Sequence, residues 1–395
     1  MLGILVTACA ATAPTPVRPG IDVLLTDSVH LVRGRRVGLL TNRAGVDASG
    51  VDDVTRLVDA GVTISAIFSP EHGYRGLLDV ENIGSTIDSA TGIPIYSLYG
   101  TQHAPSPQML AQVDVLVVDL QDVGARPYTY VSTALLTLGA AGRAGVPVVI
   151  LDRPNPIGGT LVQGPERDSA FASFNGMLPV PQRHGMTLGE LVRLGRDALA
   201  IAGTLTVVPM RGWRRDMWFD DTGLPWIAPS PSMPNLESAA HYPGLVVFEA
   251  TAVSVGRGTP IAFQVLAAPW LDARGLATRL GDEPGVRLWD TTITPVDPQD
   301  GKYPGLALPA VRFHVTDRAR YDPVRLAVRV LADLRVRYPD SLRVNERRLR
   351  ELAGVDLWGL LREGETPSEV VASWSAPIAS FRVWRRSHLL YADLP

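Results

Sequence analysis

The chain has 395 residues, more than one hydrophobic core usually organises, so two domains, or one large domain with a substantial extension, are expected. Hydrophobic residues make up 46% and charged residues 19%, a balance that excludes a disordered chain and supplies ample material for a packed interior. With 37 basic against 40 acidic residues, the net charge of −3 provides no global field for nucleic acid or an anionic membrane.

In chain order, the first feature is Cys9, the single cysteine, which excludes an intramolecular disulfide and any zinc site with more than one thiolate. Leu5-Val6-Thr7-Ala8-Cys9, followed by an Ala/Thr/Pro-rich stretch to Gly20, is similar to a bacterial lipoprotein signal and its tether. Residues 1–20 are therefore expected to be a signal remnant and tether, with lipidation at Cys9 and export to the cell envelope. That anchor is the one expected route to a membrane. Only eight residues and no basic stretch precede Cys9, so a cytoplasmic protein is the alternative.

From residue 21 to about 160, apolar runs alternate with helical stretches. Arg36 to Thr41, Val62 to Phe68, Val113 to Leu120 and Val146 to Leu151 suit strands buried on both faces. Val51 to Ala60, Pro107 to Gln112 and Tyr130 to Ala144 suit the helices between them. This alternation predicts an α/β, Rossmann-like, doubly wound and mainly parallel sheet over residues 21–257. Thr187 is placed to cap a helix to about Ala200, with Glu190 in the capping-box position. Leu205 to Pro209 reads as a further strand. The loop from Arg211 to Asn235 carries Trp213, Trp218 and Trp226, which either stack on a sugar face or pin the loop to the core. From residue 258 to the end, strands at 263–267, 286–289 and 311–316 and helices at 323–337 and 345–352 read as a smaller α+β domain completing the cleft.

A parallel sheet places its ligand beyond the carboxyl ends of its strands. Those ends are followed here by Asn42 and Arg43, by Glu71 and His72, by Gln121 and Asp122 just after Asp119, and by Asp152, Arg153 and Asn155. Polar groups delivered from four strand ends to one rim are the strongest functional signal, although any one of these acids would equally serve as a loop or helix cap. No Walker loop, G-x-G-x-x-G, H-E-x-x-H or G-x-S-x-G motif is present. The histidines show no i, i+4 pairing, so neither a metal nor another cofactor is expected. Hydrolysis of a glycosidic bond suits a carboxylate-rich, aromatic-flanked cleft with no visible nucleophilic Ser or Cys. Glu71 is the preferred acid, because partial burial behind an apolar strand favours a protonated carboxyl. His72 is assigned to loop orientation or substrate binding, since neighbours in an extended segment point opposite ways.

Leu40-Thr41-Asn42, Phe68-Ser69-Pro70-Glu71-His72-Gly73-Tyr74-Arg75-Gly76, Tyr96-Ser97-Leu98-Tyr99-Gly100 and Asp119-Leu120-Gln121-Asp122-Val123-Gly124-Ala125-Arg126 closely resemble a family of bacterial exo-β-N-acetylmuramidases. The likeness continues through Tyr128-Thr129-Tyr130, Leu151-Asp152-Arg153-Pro154-Asn155-Pro156, Arg183-His184-Gly185-Met186-Thr187, Pro229-Ser230-Pro231-Ser232-Met233-Pro234, and Glu249 with Gly256-Arg257-Gly258-Thr259, and weakens after 270. Pro260-Ile261-Ala262-Phe263-Gln264 departs from the family pattern. The resemblance implies release of terminal N-acetylmuramic acid from the non-reducing end of peptidoglycan fragments. It supports Glu71 as the general acid; Asp122, in the turn after the third strand run, is the expected partner carboxylate, with Glu249, from the segment joining the two domains, in reserve. Asn42, His72, Arg126, Tyr128, Asp152, Arg183, Glu249 and Arg257 then form the substrate site, and Arg126, Arg183 or Arg257 receives the lactyl carboxylate. The rival readings are a non-catalytic muropeptide-binding envelope protein and another hydrolase of wall fragments.

Overall fold

A computed structural model describes residues 16–75 and 86–392. Cys9 and its tether, and Gly76 of the motif around Glu71, lie outside the described residues. The strands are β1 (Arg36–Thr41), β2 (Thr63–Ser69), β3 (Thr86–Ile87), β4 (Pro94–Ser97), β5 (Val115–Asp119), β6 (Val148–Leu151), β7 (Gln163–Glu166), β8 (Pro181–Arg183), β9 (Leu205–Val208), β10 (Val265–Ala267), β11 (Val286–Ile293) and β12 (Leu308–Val315). The helices are α1 (Gly20–Asp27), α2 (Asp53–Asp59), α3 (Pro107–Leu110), α4 (Tyr130–Arg143), α5 (Leu188–Ala198), α6 (Leu236–Leu245), α7 (Ala273–Leu280), α8 (Pro323–Arg337), α9 (Glu346–Ala353), α10 (Leu357–Glu363), α11 (Pro367–Ser373) and α12 (Ser375–Arg385).

The central sheet has the order β3-β4-β2-β1-β5-β6-β9, and every pairing is parallel except that of β3 with β4. The apolar runs form these strands because both of their faces are covered. Leu40, Phe68, Leu116, Val118, Val148 and Ile150 enter one core, while Val37, Leu39, Ile67, Val115, Val117 and Val149 enter a second on the opposite face. Alternation along each strand thus feeds two helical layers, the doubly wound arrangement. The order reverses between β1 and β5, where a doubly wound sheet ordinarily opens its ligand crevice.

The smaller sheet is antiparallel, in the order β10-β12-β11. Helix α6 packs on α8, and the first core runs without a break from Leu40 to Phe381, so both regions bury one continuous apolar interior. The capping box at the start of α5 forms as expected: the Thr187 side chain accepts from the Glu190 amide, and Glu190 accepts from the Thr187 amide. Asp152 accepts from Thr187 Oγ1 (2.7 Å), the Gly189 amide (2.9 Å) and the Tyr391 hydroxyl (2.7 Å), which ties β6 to α5 and to the C-terminal segment.

Candidate active site

At the switch point, buried polar groups pair with one another. Arg153 donates to both oxygens of Asp119 and to the Val46 carbonyl, and Thr41 donates to Asp53, all of them buried. Burial pushes the Asp53 carboxyl well up, and the Asp119 carboxylate nearby raises it further. Asn42, at the end of β1, donates to the Tyr130 hydroxyl and the Pro229 carbonyl and lines a broad depression beside Arg43, Tyr74 and Arg75. Gln121 donates to the carbonyls of Asp122 and Pro154.

A second cleft lies between the end of β2, the start of α4 and the segment that follows α6. Its walls include Glu71, His72, Tyr128, Thr129, Tyr242, Glu249, Arg257 and Phe263. Glu71 follows Pro70 in a tight turn closed by a Gly73 amide to Pro70 carbonyl bond of 3.1 Å. His72 has a φ of 73°, a left-handed conformation that non-glycine residues seldom adopt. Because this segment is a turn and not the extended strand expected from sequence, Glu71 and His72 face the same cleft. Thr129, at the N-terminus of α4, donates its hydroxyl to Glu71 Oε2 at 2.6 Å and so fixes the carboxyl.

On the other wall, Glu249 sits in a 3-10 turn over Val246–Ala250, after α6. Its Oε1 accepts from Arg257 Nε at 2.6 Å, and Arg257 Nη1 donates to Ser232 Oγ and Gln299 Oε1, each at 2.8 Å. Burial opposes the charge on Arg257, but the Glu249 carboxylate overrides it and holds the guanidinium above its ordinary range. The Arg257 guanidinium also lies 5.2 Å from the centre of the Phe263 ring, within the loop that departs from the family pattern. Gly256 and Gly258 flank Arg257 with positive φ, and a Cβ on Gly258 would meet the Val296 carbonyl oxygen at 2.4 Å, so this turn requires glycine there. Tyr128 and Tyr242 meet edge-to-face at 5.8 Å, and burial raises both phenols well beyond their ordinary range, leaving neutral walls.

Several expected residues are not in this cleft. Asp122 is buried, accepts from the Gly124 amide at 2.7 Å and lies 3.6 Å from His184 Nε2; Glu249, not Asp122, lines the cleft with Glu71. Asp152 is consumed by the anchoring network described above. Arg126 donates to the carbonyls of Pro165, Val180, Leu352 and Ala353 and to Gln182, and burial lowers it to about 9. Arg183 donates to Gln163 and to the Ile157 carbonyl, and burial lowers it to about 10. Both hold loops together and do not line the cleft. Trp218 is clasped between Arg183 and Arg318, at 5.6 and 4.5 Å, Trp213 packs on Tyr391, and Trp226 packs on Phe219. The rings pin the loop and form no sugar platform in the cleft. Arg348 and Asn175, which the sequence reading missed, do line it. Among the described residues, no three His, Cys, Asp or Glu side chains gather into a group able to hold a metal ion.

Two family models cover almost the whole described chain: exo-β-N-acetylmuramidase NamZ, N-terminal, over residues 37–237, and its C-terminal counterpart over residues 240–391. The chain belongs to the NamZ exo-β-N-acetylmuramidase family. It is 38% identical to the peptidoglycan β-N-acetylmuramidase NamZ of Bacillus subtilis (strain 168), across 96% of this chain and 93% of that protein. Among solved structures, a DUF1343-family protein from Bacteroides fragilis NCTC 9343 superposes with a TM-score of 0.87 at 32% identity, covering 95% of this chain and 99% of the other. A second such protein from the same organism gives 0.76 at 29% identity, covering 96% and 100%. The NamZ family models meet between residues 237 and 240, just where α6 begins.

Proposed function

We propose that this protein is an exo-β-N-acetylmuramidase that releases terminal N-acetylmuramic acid from the non-reducing end of peptidoglycan fragments, with Glu71 as general acid and Glu249 as the opposing carboxylate. The observation that carries the assignment of roles is that Glu71 and Glu249 line one cleft in a NamZ-family chain, each held by a different partner. The glycosidic oxygen must gain a proton as its bond to the anomeric carbon breaks, and Glu71, oriented by Thr129, is the donor. Positive charge then develops at the anomeric carbon. Glu249, held by Arg257, stabilises that charge or directs the group that attacks it. The attacking group is a water, Glu249 itself or the substrate's own acetamido oxygen, and the anomeric configuration of the first product narrows the choice. Tyr128 and His72 complete the wall against which the sugar ring packs.

The test is incubation with a chromogenic N-acetylmuramide, with and without chelator. Aryl release that resists chelation is expected, and its absence in the presence of binding would point instead to a muropeptide-binding protein. Loss on chelation would indicate a metal-dependent wall hydrolase. The same reading extends to a protein exported to the envelope and tethered through a lipidated Cys9. Incorporation of labelled palmitate that disappears in Cys9→Ala supports it, and a protein confined to the cytoplasm overturns it.

A further inference from the structure

Resting on the muramidase reading, we infer that Arg348, positioned by Asn175, is the receptor for the lactyl carboxylate that distinguishes N-acetylmuramic acid from N-acetylglucosamine. A carboxylate on the substrate needs a guanidinium with donors to spare. Of the arginines singled out from sequence, Arg126 and Arg183 are buried outside the cleft. Arg257 is inside it, but its Nε and Nη2 point at Glu249 and its Nη1 at Ser232 and Gln299, so its donors are occupied and its charge is already balanced.

Arg348 lines the same cleft and differs in how its donors are used. Its Nη1 donates to Asn175 Oδ1 at 2.8 Å and lies 3.5 Å from Glu351 on the same helix. Among the described residues, its Nε and Nη2 make no hydrogen bond. The side chain is 35% exposed, so a ligand can reach it without unpacking the core. Its placement relative to Glu249 is fixed by the backbone. The Asn345 amide donates to the Ala250 carbonyl at 2.7 Å, and the Asn345 side chain caps α9 by accepting from the Arg348 amide at 3.0 Å. Helix α9 is thereby docked on the turn that carries Glu249, and Arg348 reaches the cleft from its first turn. Asn175, in the loop bridged between Ser173 and Gly176, holds one edge of the fork and leaves the other for the ligand.

The experiment compares wild type, Arg348→Ala and Arg348→Lys on 4-nitrophenyl N-acetylmuramide and on its lactyl methyl ester, which keeps the shape and removes the charge. For Arg348→Ala the KM on the free acid is expected to rise about 10- to 100-fold with kcat little changed, the signature of lost uniform binding. On the ester, wild type and variant should agree within about threefold. Arg348→Lys, which keeps the charge and loses the fork, should fall between. If Arg348→Ala lowers turnover of acid and ester equally, or leaves the preference for the acid intact, the inference is overturned. Should Arg348→Ala not fold, Asn175→Ala and Arg348→Lys carry the same comparison. Wild type inactive on both substrates would instead refute the muramidase reading itself.

Discussion

Arg126→Met separates a scaffold arginine from a substrate arginine. Arg126 is 4% exposed and, among the described residues, pairs with no carboxylate; its fork is filled by four backbone carbonyls and the Gln182 side chain. Two of those carbonyls, Leu352 and Ala353, end α9 and have no partner within the helix. Removing the guanidinium leaves acceptors that cost about 1–3 kcal/mol each when buried and unsatisfied. If water entering the space satisfies half of them, about 2.5–7.5 kcal/mol is lost. For a chain of 395 residues the unfolding entropy is about 0.8 kcal/mol/K, so Tm should drop by about 3–9 °C.

Thermal unfolding and steady-state kinetics on the chromogenic substrate read the two sides of the argument. The expected result is the lower Tm with KM within about twofold of wild type at 25 °C. A variant with unchanged Tm and a KM raised more than tenfold would place Arg126 on the substrate and refute the reasoning. Gly354→Ala probes the same spot from the other side. Its φ is +76°, and a Cβ there would sit 2.4 Å from Arg126 Nη2, so it too should lower Tm without a change in KM.

Glu71→Gln should keep the Thr129 hydrogen bond through its amide oxygen, leave Tm within about 1 °C and lower kcat by about 10²–10⁴-fold; near wild-type turnover would remove Glu71 from the mechanism. Tyr391→Phe deletes the hydroxyl that donates to Asp152 and accepts from the Met210 amide, and should cost about 1–3 kcal/mol in denaturant unfolding, with an unchanged midpoint refuting the anchor. Burial pushes the Asp152 carboxyl up from 3.8 to about 6. An acid raised in the folded state favours folding below its unfolded value and loses that advantage as pH rises through its folded value, so wild-type stability relative to Asp152→Asn should fall by about 2 kcal/mol between pH 4 and 7, measured by urea midpoints at each pH.

The inner strands of the central sheet were legible because they are buried on both faces, and Val115 to Val118 or Val148 to Leu151 can be apolar at every position only in that setting. Glu71 was legible because a carboxylate directly after such a strand has no packing role. What sequence could not reveal is where polar groups at the other strand ends spend their bonds. Asp119 and Arg153 neutralise each other across β5 and β6, and Asp152 reaches a tyrosine 239 positions away. Arg348 was hidden for a related reason. In Glu346–Ala353, the sequence ERRLRELA offers three arginines, and which of them meets the cleft depends on the Asn345 to Ala250 bond that docks the helix.

The arginines make the general point most sharply. A guanidinium has five donors, and its role is set by what accepts them. Arg126 and Arg183 stand in motifs shared with the family, beside Gly and Pro turns, as a substrate receptor would. Their acceptors, however, are mostly main-chain carbonyls, which every residue carries and which therefore leave no mark in a sequence. Arg257 is spent on a glutamate eight positions away and on Ser232 and Gln299. A family motif identifies arginines that the fold or the chemistry needs, without saying which. Counting the donors left over in the folded chain makes that distinction, and in this cleft the count points to Arg348.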